Sequence, residues 1–109
     1  VNQNKLNHYF LNSEDPKVCE KLYDEAMSYI KNKDYEIRDS QKEALLNHLS
    51  EMVKRNINKE KMEVEDKTVF NEISQDSIDK AVELVTQLKN ISEEEAYLLS
   101  IHFEVVKYN

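Results

Sequence analysis

The chain has 109 residues, 39% of them apolar, which suits one domain with a real core and is too short for a catalytic domain plus a regulatory one. Glycine is absent and Pro16 is the one proline, which excludes glycine-dependent phosphate loops and dinucleotide fingerprints, makes tight hairpins costly and points to helices. A formal net charge of -7, with 22 acidic residues against 15 basic ones and no basic stripe, argues against a direct nucleic-acid partner.

Residues 1–12 carry Leu6, Tyr9, Phe10 and Leu11 among asparagines, a pattern that fits either a short leading helix or a segment packed over the domain. The sequence starts at Val1 rather than at methionine, as a trimmed chain or a piece of a longer one would. Residues 13–109 read as a single helical domain. A polar cap and Pro16 open a helix over about 15–32, with Cys19, Leu22, Tyr23, Ala26 and Ile30 at helical spacing. Asn32, Lys33 and Asp34 then break the pattern.

Ser40 and Glu43 have capping-box spacing and predict a helix reaching about Arg55, with Leu45, His48, Leu49 and Met52 on one side. The stretch from Asn56 to Asp66 reads as a polar connector tacked to the surface by Ile57, Met62 and Val64. A short helix follows through Val69, Phe70 and Ile73, then a longer one with Ile78, Ala81, Val82, Val85 and Leu88 as its apolar stripe. Ser92 and Glu95 predict a second capping box before a last helix, Ala96 to Lys107. That helix is apolar on more than one side, as a central helix or one at an interface between copies would be. The expected fold is an all-α, compact five-helix bundle of antiparallel helix pairs.

Cys19 is the one cysteine, and neither a secretory signal nor an apolar run of membrane length is present, so a reducing cytoplasm and no membrane partner are expected. The feature that bears on function is a repeated frame. Leu45, His48, Leu49 and Met52 match Leu99, His102, Phe103 and Val106, so each histidine follows an apolar residue by three and precedes others by one and four. Those offsets share a helix face, which places each imidazole on or beside a buried stripe. One such histidine is usually a packed core residue; two in the same frame favour a site.

Metal-site spacings are missing, because the histidines lie on different helices and no cysteine pair exists. A bundle site completed by Glu51 or Glu104 stays geometrically open, although no metal or cofactor is expected. Catalysis is not expected either: Ser50 and Ser100 stand two residues from the histidines and do not face them on a helix. A neutral imidazole can instead accept a phosphoryl group, and Arg55, seven residues after His48, lies two turns along the same face, able to pair with phosphate or a carboxylate.

The run Asn47, His48, Leu49, Ser50, Glu51, Met52, Val53, Lys54, Arg55 resembles the first motif of the PTS regulation domain, found in bacterial transcriptional antiterminators and activators. Glu95, Ala96, Tyr97, Leu98, Leu99, Ser100, Ile101, His102 resembles its second. The resemblance implies a five-helix regulatory domain, not an enzyme. His48 and His102 would take phosphoryl groups from the phosphocarrier HPr or an enzyme II component of the sugar phosphotransferase system. Asn47, Arg55 and Glu95 would be the supporting residues, and phosphorylation would shift homodimerisation. Asn47 stands where that family carries aspartate, which removes a carboxylate able to fix the ring or bind Arg55. The alternative is a dimerisation or protein-interaction module of the same fold without phosphorylation.

Overall fold

Short connections between amphipathic helices set the architecture, because a segment that cannot reach far packs against its predecessor. The computed structural model describes residues 2–63 and 67–109, without the side chains of residues 67 and 69. Among the described residues are five α-helices, α1 (Gln3–Asn12), α2 (Pro16–Asn32), α3 (Asp39–Asn58), α4 (Gln75–Val85) and α5 (Glu94–Val106), with a 3₁₀ helix (Lys67–Glu72) before α4. The Cα radius of gyration, 13.2 Å, matches the roughly 13 Å of a folded chain of this size. The all-α, five-helix expectation holds. Among the described residues no helix is long and apolar enough to cross a membrane.

The leading segment is the first helix of the bundle. The Asn2 side chain caps α1 by accepting from the Lys5 N–H at 2.9 Å, and Phe10 enters the core, edge-on to Tyr23. Polar contacts fasten it to α3: Tyr9 donates its hydroxyl to Glu43 at 3.0 Å, and Ser50 donates to the Tyr9 carbonyl at 2.7 Å. The short helix expected through Val69, Phe70 and Ile73 is the 3₁₀ helix; Phe70 is buried and stacks on Tyr97 of α5, while the Val69 side chain lies outside the described residues.

In α2, Asp15 accepts from the Val18 N–H at 3.4 Å, Pro16 occupies the first turn, and all the predicted apolar positions are buried. Burial pushes the Cys19 thiol up to about 11, so this cysteine is a packing residue rather than a reactive one. The capping box predicted between Ser40 and Glu43 does not form. Instead α3 begins at Asp39, and Gln41 accepts from the Arg38 N–H at 2.9 Å. Glu43 is drawn to α1, where Tyr9 and Lys5 reach it.

The connector after α3 is held by polar groups more than by apolar ones. The Met62 carbonyl accepts from the Ser92 hydroxyl at 2.7 Å, and Asn56 accepts from the Asn90 N–H at 2.8 Å. Ile57 is 40% exposed, so it does not serve as a tack; Val64 and Asp66 lie outside the described residues.

The stripe of α4 is rotated from its predicted position. Ser77, Ala81, Leu84 and Val85 are buried, Val82 is 41% exposed, and the helix stops before Leu88. Glu104 of α5 supplies the reason: its carboxylate accepts from the Ser74 N–H at 3.2 Å, from the Ser77 hydroxyl at 2.8 Å and from the Ser74 hydroxyl. It thus caps α4 from a neighbouring helix and fixes which way Ser77 faces. Lys107 completes the cluster by donating to Asp76 at 2.8 Å and to Ser74.

Without glycine, the left-handed positions among the described residues fall to Glu14 (φ 70°), Asp34 (φ 58°) and Lys59 (φ 57°). At Lys59 the corner is closed by the Glu60 N–H donating to the Arg55 carbonyl at 2.9 Å, the six-to-one bond of a Schellman turn. A β-carbon is costly in that conformation, so Lys59→Gly is expected to raise stability by up to about 1 kcal/mol. The measurement is the urea midpoint at unchanged slope; no increase would mean the corner carries no strain.

Candidate functional site

The candidate residues come from matched positions on two helices. His48 and Arg55 sit two turns apart on α3, and Glu95 and His102 sit two turns apart on α5. His48 meets His102 and Arg55 meets Glu95, so the two helices run antiparallel along this stretch. The apolar residues that frame each histidine, Leu45, Leu49 and Met52 on α3 and Leu99, Phe103 and Val106 on α5, are all buried. Each imidazole is thereby held at the edge of the core, as the repeated frame predicts.

The imidazole rings lie 5.2 Å apart, edge to face, with planes inclined by 69°. They open into a shallow cleft of about 330 Å³ whose walls include Glu51, Met62, Leu98 and Ile101. Asn47 sits at its exposed rim. Ser50 and Ser100 turn away, donating to the Tyr9 and Tyr97 carbonyls.

Beneath the rings, Arg55 forms a bidentate pair with Glu95, Nε to Oε2 at 2.6 Å and Nη2 to Oε1 at 2.8 Å. The Glu95 side chain is 1% exposed. Burial alone would push that carboxyl up, but hydrogen bonds from His48 and Arg55, with the Arg55 charge, hold it below the usual carboxylate range. An ionised carboxylate only accepts hydrogen bonds. The His48 Nε2, 3.4 Å from Glu95 Oε1, therefore carries the proton in the neutral ring, leaving Nδ1 with the free lone pair.

His102 differs. Burial, followed by the neighbouring His48, pushes it down to about 4, so its ring is neutral throughout the physiological range. The two histidines are thus chemically distinct: one is backed by a carboxylate, the other is desolvated.

The second predicted capping box is absent because its members have other partners. Glu93 occupies the cap position of α5, the Ser92 hydroxyl binds the Met62 carbonyl, and Glu95 turns inward to Arg55. Glu104 caps α4 and does not face the histidines. Among the described residues no group of three or more histidine, cysteine, aspartate or glutamate side chains could hold a metal ion. The link from α1 to this site could not be read from sequence: Asn12 donates to Glu51 at 3.0 Å across 39 positions of chain, and Asn12 belongs to no recognisable motif.

A model of the PRD domain, the PTS regulation domain, matches residues 25–106. The chain belongs to the PRD family. Its fold is similar to that of a PRD-containing transcription regulator from Lactobacillus casei ATCC 334, with a TM-score of 0.85 and 29% sequence identity over 99% of this chain and 96% of that one. Among curated proteins none is significantly similar in sequence. The family match begins within α2, so α1 lies outside it, whereas the likeness to the solved structure extends over nearly the whole PRD chain.

Two outcomes follow for the PRD cleft. Arg55→Met would strand a buried carboxylate, so a loss of about 3–5 kcal/mol is expected in denaturant unfolding, less if Glu95 takes up a proton; wild-type stability would show that the pair contributes nothing. The unfolded chain protonates His102 near 6.5, whereas the folded chain resists until about 4. Its stabilising contribution is therefore complete above 6.5 and falls by at most about 1.4 kcal/mol per pH unit between those values. His102→Gln should flatten that part of the stability curve, and NMR titration of wild-type His102 with a midpoint near 6.5 would contradict the assignment.

Proposed function

We propose that this PRD is a regulatory domain that accepts phosphoryl groups on His48 and His102 and switches the association or activity of a transcriptional regulator, in the cytoplasm and without catalysing a reaction of its own. The observation that carries the proposal is the pair of imidazoles, rings 5.2 Å apart in an open cleft and backed by Arg55 and Glu95. The donor is the phosphohistidine of HPr or of an enzyme II component.

In the transfer to His48, the Nδ1 lone pair attacks phosphorus, a new N–P bond forms, and the donor's N–P bond breaks with its electron pair returning to the donor imidazole. Positive charge then develops on the His48 ring, where Glu95 faces Nε2 and offsets it. His102 is the second acceptor; its desolvated ring stays neutral and so keeps its lone pair at cellular pH.

The product brings nearly two extra negative charges beside the guanidinium that holds Glu95. Phosphate competes with that carboxylate for Arg55, and a buried carboxylate without its partner disfavours the present packing of α3 on α5. The exposed apolar residues Ile101 and Val105, 38% and 42% accessible, lie on α5 beside the cleft and form a face through which homodimerisation would respond.

Incubation with phosphoenolpyruvate, enzyme I and HPr is expected to place acid-labile phosphate on His48 or His102, to be lost in the His48→Ala/His102→Ala variant, and to change the sedimentation coefficient. A folded wild-type protein carrying no phosphohistidine under those conditions would exclude phosphoryl acceptance and leave the helical interaction module.

A further inference from the structure

Arg55 has two carboxylates to choose from. Glu51 precedes it by four residues on α3, the favourable order for a helical ion pair, and lines the histidine cleft. Glu95 approaches from α5, and the guanidinium binds it in bidentate fashion. What directs Glu51 elsewhere is α1: Asn12, its last residue, donates from Nδ2 to Glu51 Oε1 at 3.0 Å. The same amide reaches Ser50 Oγ at 3.3 Å, and Ser50 in turn donates to the Tyr9 carbonyl at 2.7 Å. Asn12 is therefore locked to consecutive residues of α3, the second of which bears a cleft charge.

Resting on the phosphoryl-acceptor reading, we propose that Asn12 is a positioning residue for the histidine cleft, holding the Glu51 carboxylate away from Arg55 so that the docking of α1 governs how readily the site takes a phosphoryl group. A neutral amide suits this role because it anchors a carboxylate without adding a competing cation. With Asn12 in place, Arg55 stays with Glu95, and Glu95 stays against His48 Nε2. Without it, Glu51 is free to take the guanidinium in the ordinary four-residue pair. That exchange weakens the support of Glu95 and draws the Glu51 charge into the mouth through which a phosphoryl dianion enters.

In this way α1 has a task in the chemistry although it lies outside the region matched by the family model. The helix makes two separate contributions. Phe10 and Tyr9 dock it, through the core and through Glu43. Asn12 acts on the charge of the cleft.

The test uses the full chain and compares wild type, Asn12→Ala and Asn12→Ala/Glu51→Gln. Phosphoryl transfer from phospho-HPr is expected to slow about three- to ten-fold in Asn12→Ala, the size of one misplaced charge at a cleft. The double variant should return to the wild-type rate, and the defect should shrink as salt is raised. The Arg55 Nε–Hε NMR resonance, which needs no phosphorylation, should move in the single variant and return in the double one. An unchanged rate and resonance in folded Asn12→Ala, or a defect that Glu51→Gln does not relieve, would overturn the positioning role. Wild type that takes no phosphate while the resonance behaves as expected would instead remove the phosphoryl-acceptor reading and leave the charge control standing.

Discussion

A carboxylate buried among apolar side chains must be paired or it destabilises the fold, and in this PRD that requirement falls on Glu95. Its bidentate bond to Arg55 ties the first turn of α5 to the last turns of α3. With that end fixed, two turns of helix on each side bring His48 and His102 together. The geometry of the cleft is thus set by a pair below it, not by contacts between the rings. Pairs of this kind specify arrangement better than they add stability, since apolar residues of similar volume would often hold as well. Here the polar choice makes the packing of α3 on α5 responsive to charge.

The other end of α5 repeats the principle with different chemistry. Glu104 turns from its own helix to satisfy the N-terminal groups of α4, and Lys107 joins it through Asp76 and Ser74. The hydrogen bonds hold both the Glu104 and Asp76 carboxyls below their ordinary values, against the effect of burial, so the cluster stays ionised at neutral pH. Each end of α5 therefore lends a carboxylate to a different neighbour. A displacement at the Glu95 end has the Glu104 end as its anchor.

Much of this was legible in the sequence where the signal was long or repeated. The histidine frames, the two-turn spacing to Arg55 and the apolar face of α2 all survived, because several residues had to agree on one helix face. Signals resting on a single short-range pair did worse. Ser40 with Glu43 and Ser92 with Glu95 have capping spacing, yet Glu43 bonds to Tyr9 and Glu95 to Arg55, partners invisible at a distance of three residues. On α4, which has only 11 residues, Val82 and Leu84 compete for the core, and the tertiary cap from Glu104 decides for Leu84. The link between Asn12 and Glu51 had no sequence signature, because it joins one side chain at a helix end to one in mid-helix.

The absence of glycine reaches beyond the left-handed corners. Every corner residue carries a β-carbon, so each enters folding from a narrower set of backbone conformations than glycine would, which offsets part of the strain at Glu14, Asp34 and Lys59. The same lack of freedom leaves the molecule without its cheapest hinges. Without such joints, small sliding of packed helices costs less than bending, and the interface between α3 and α5, closed by the Arg55–Glu95 pair, is the surface on which a change of charge would bear.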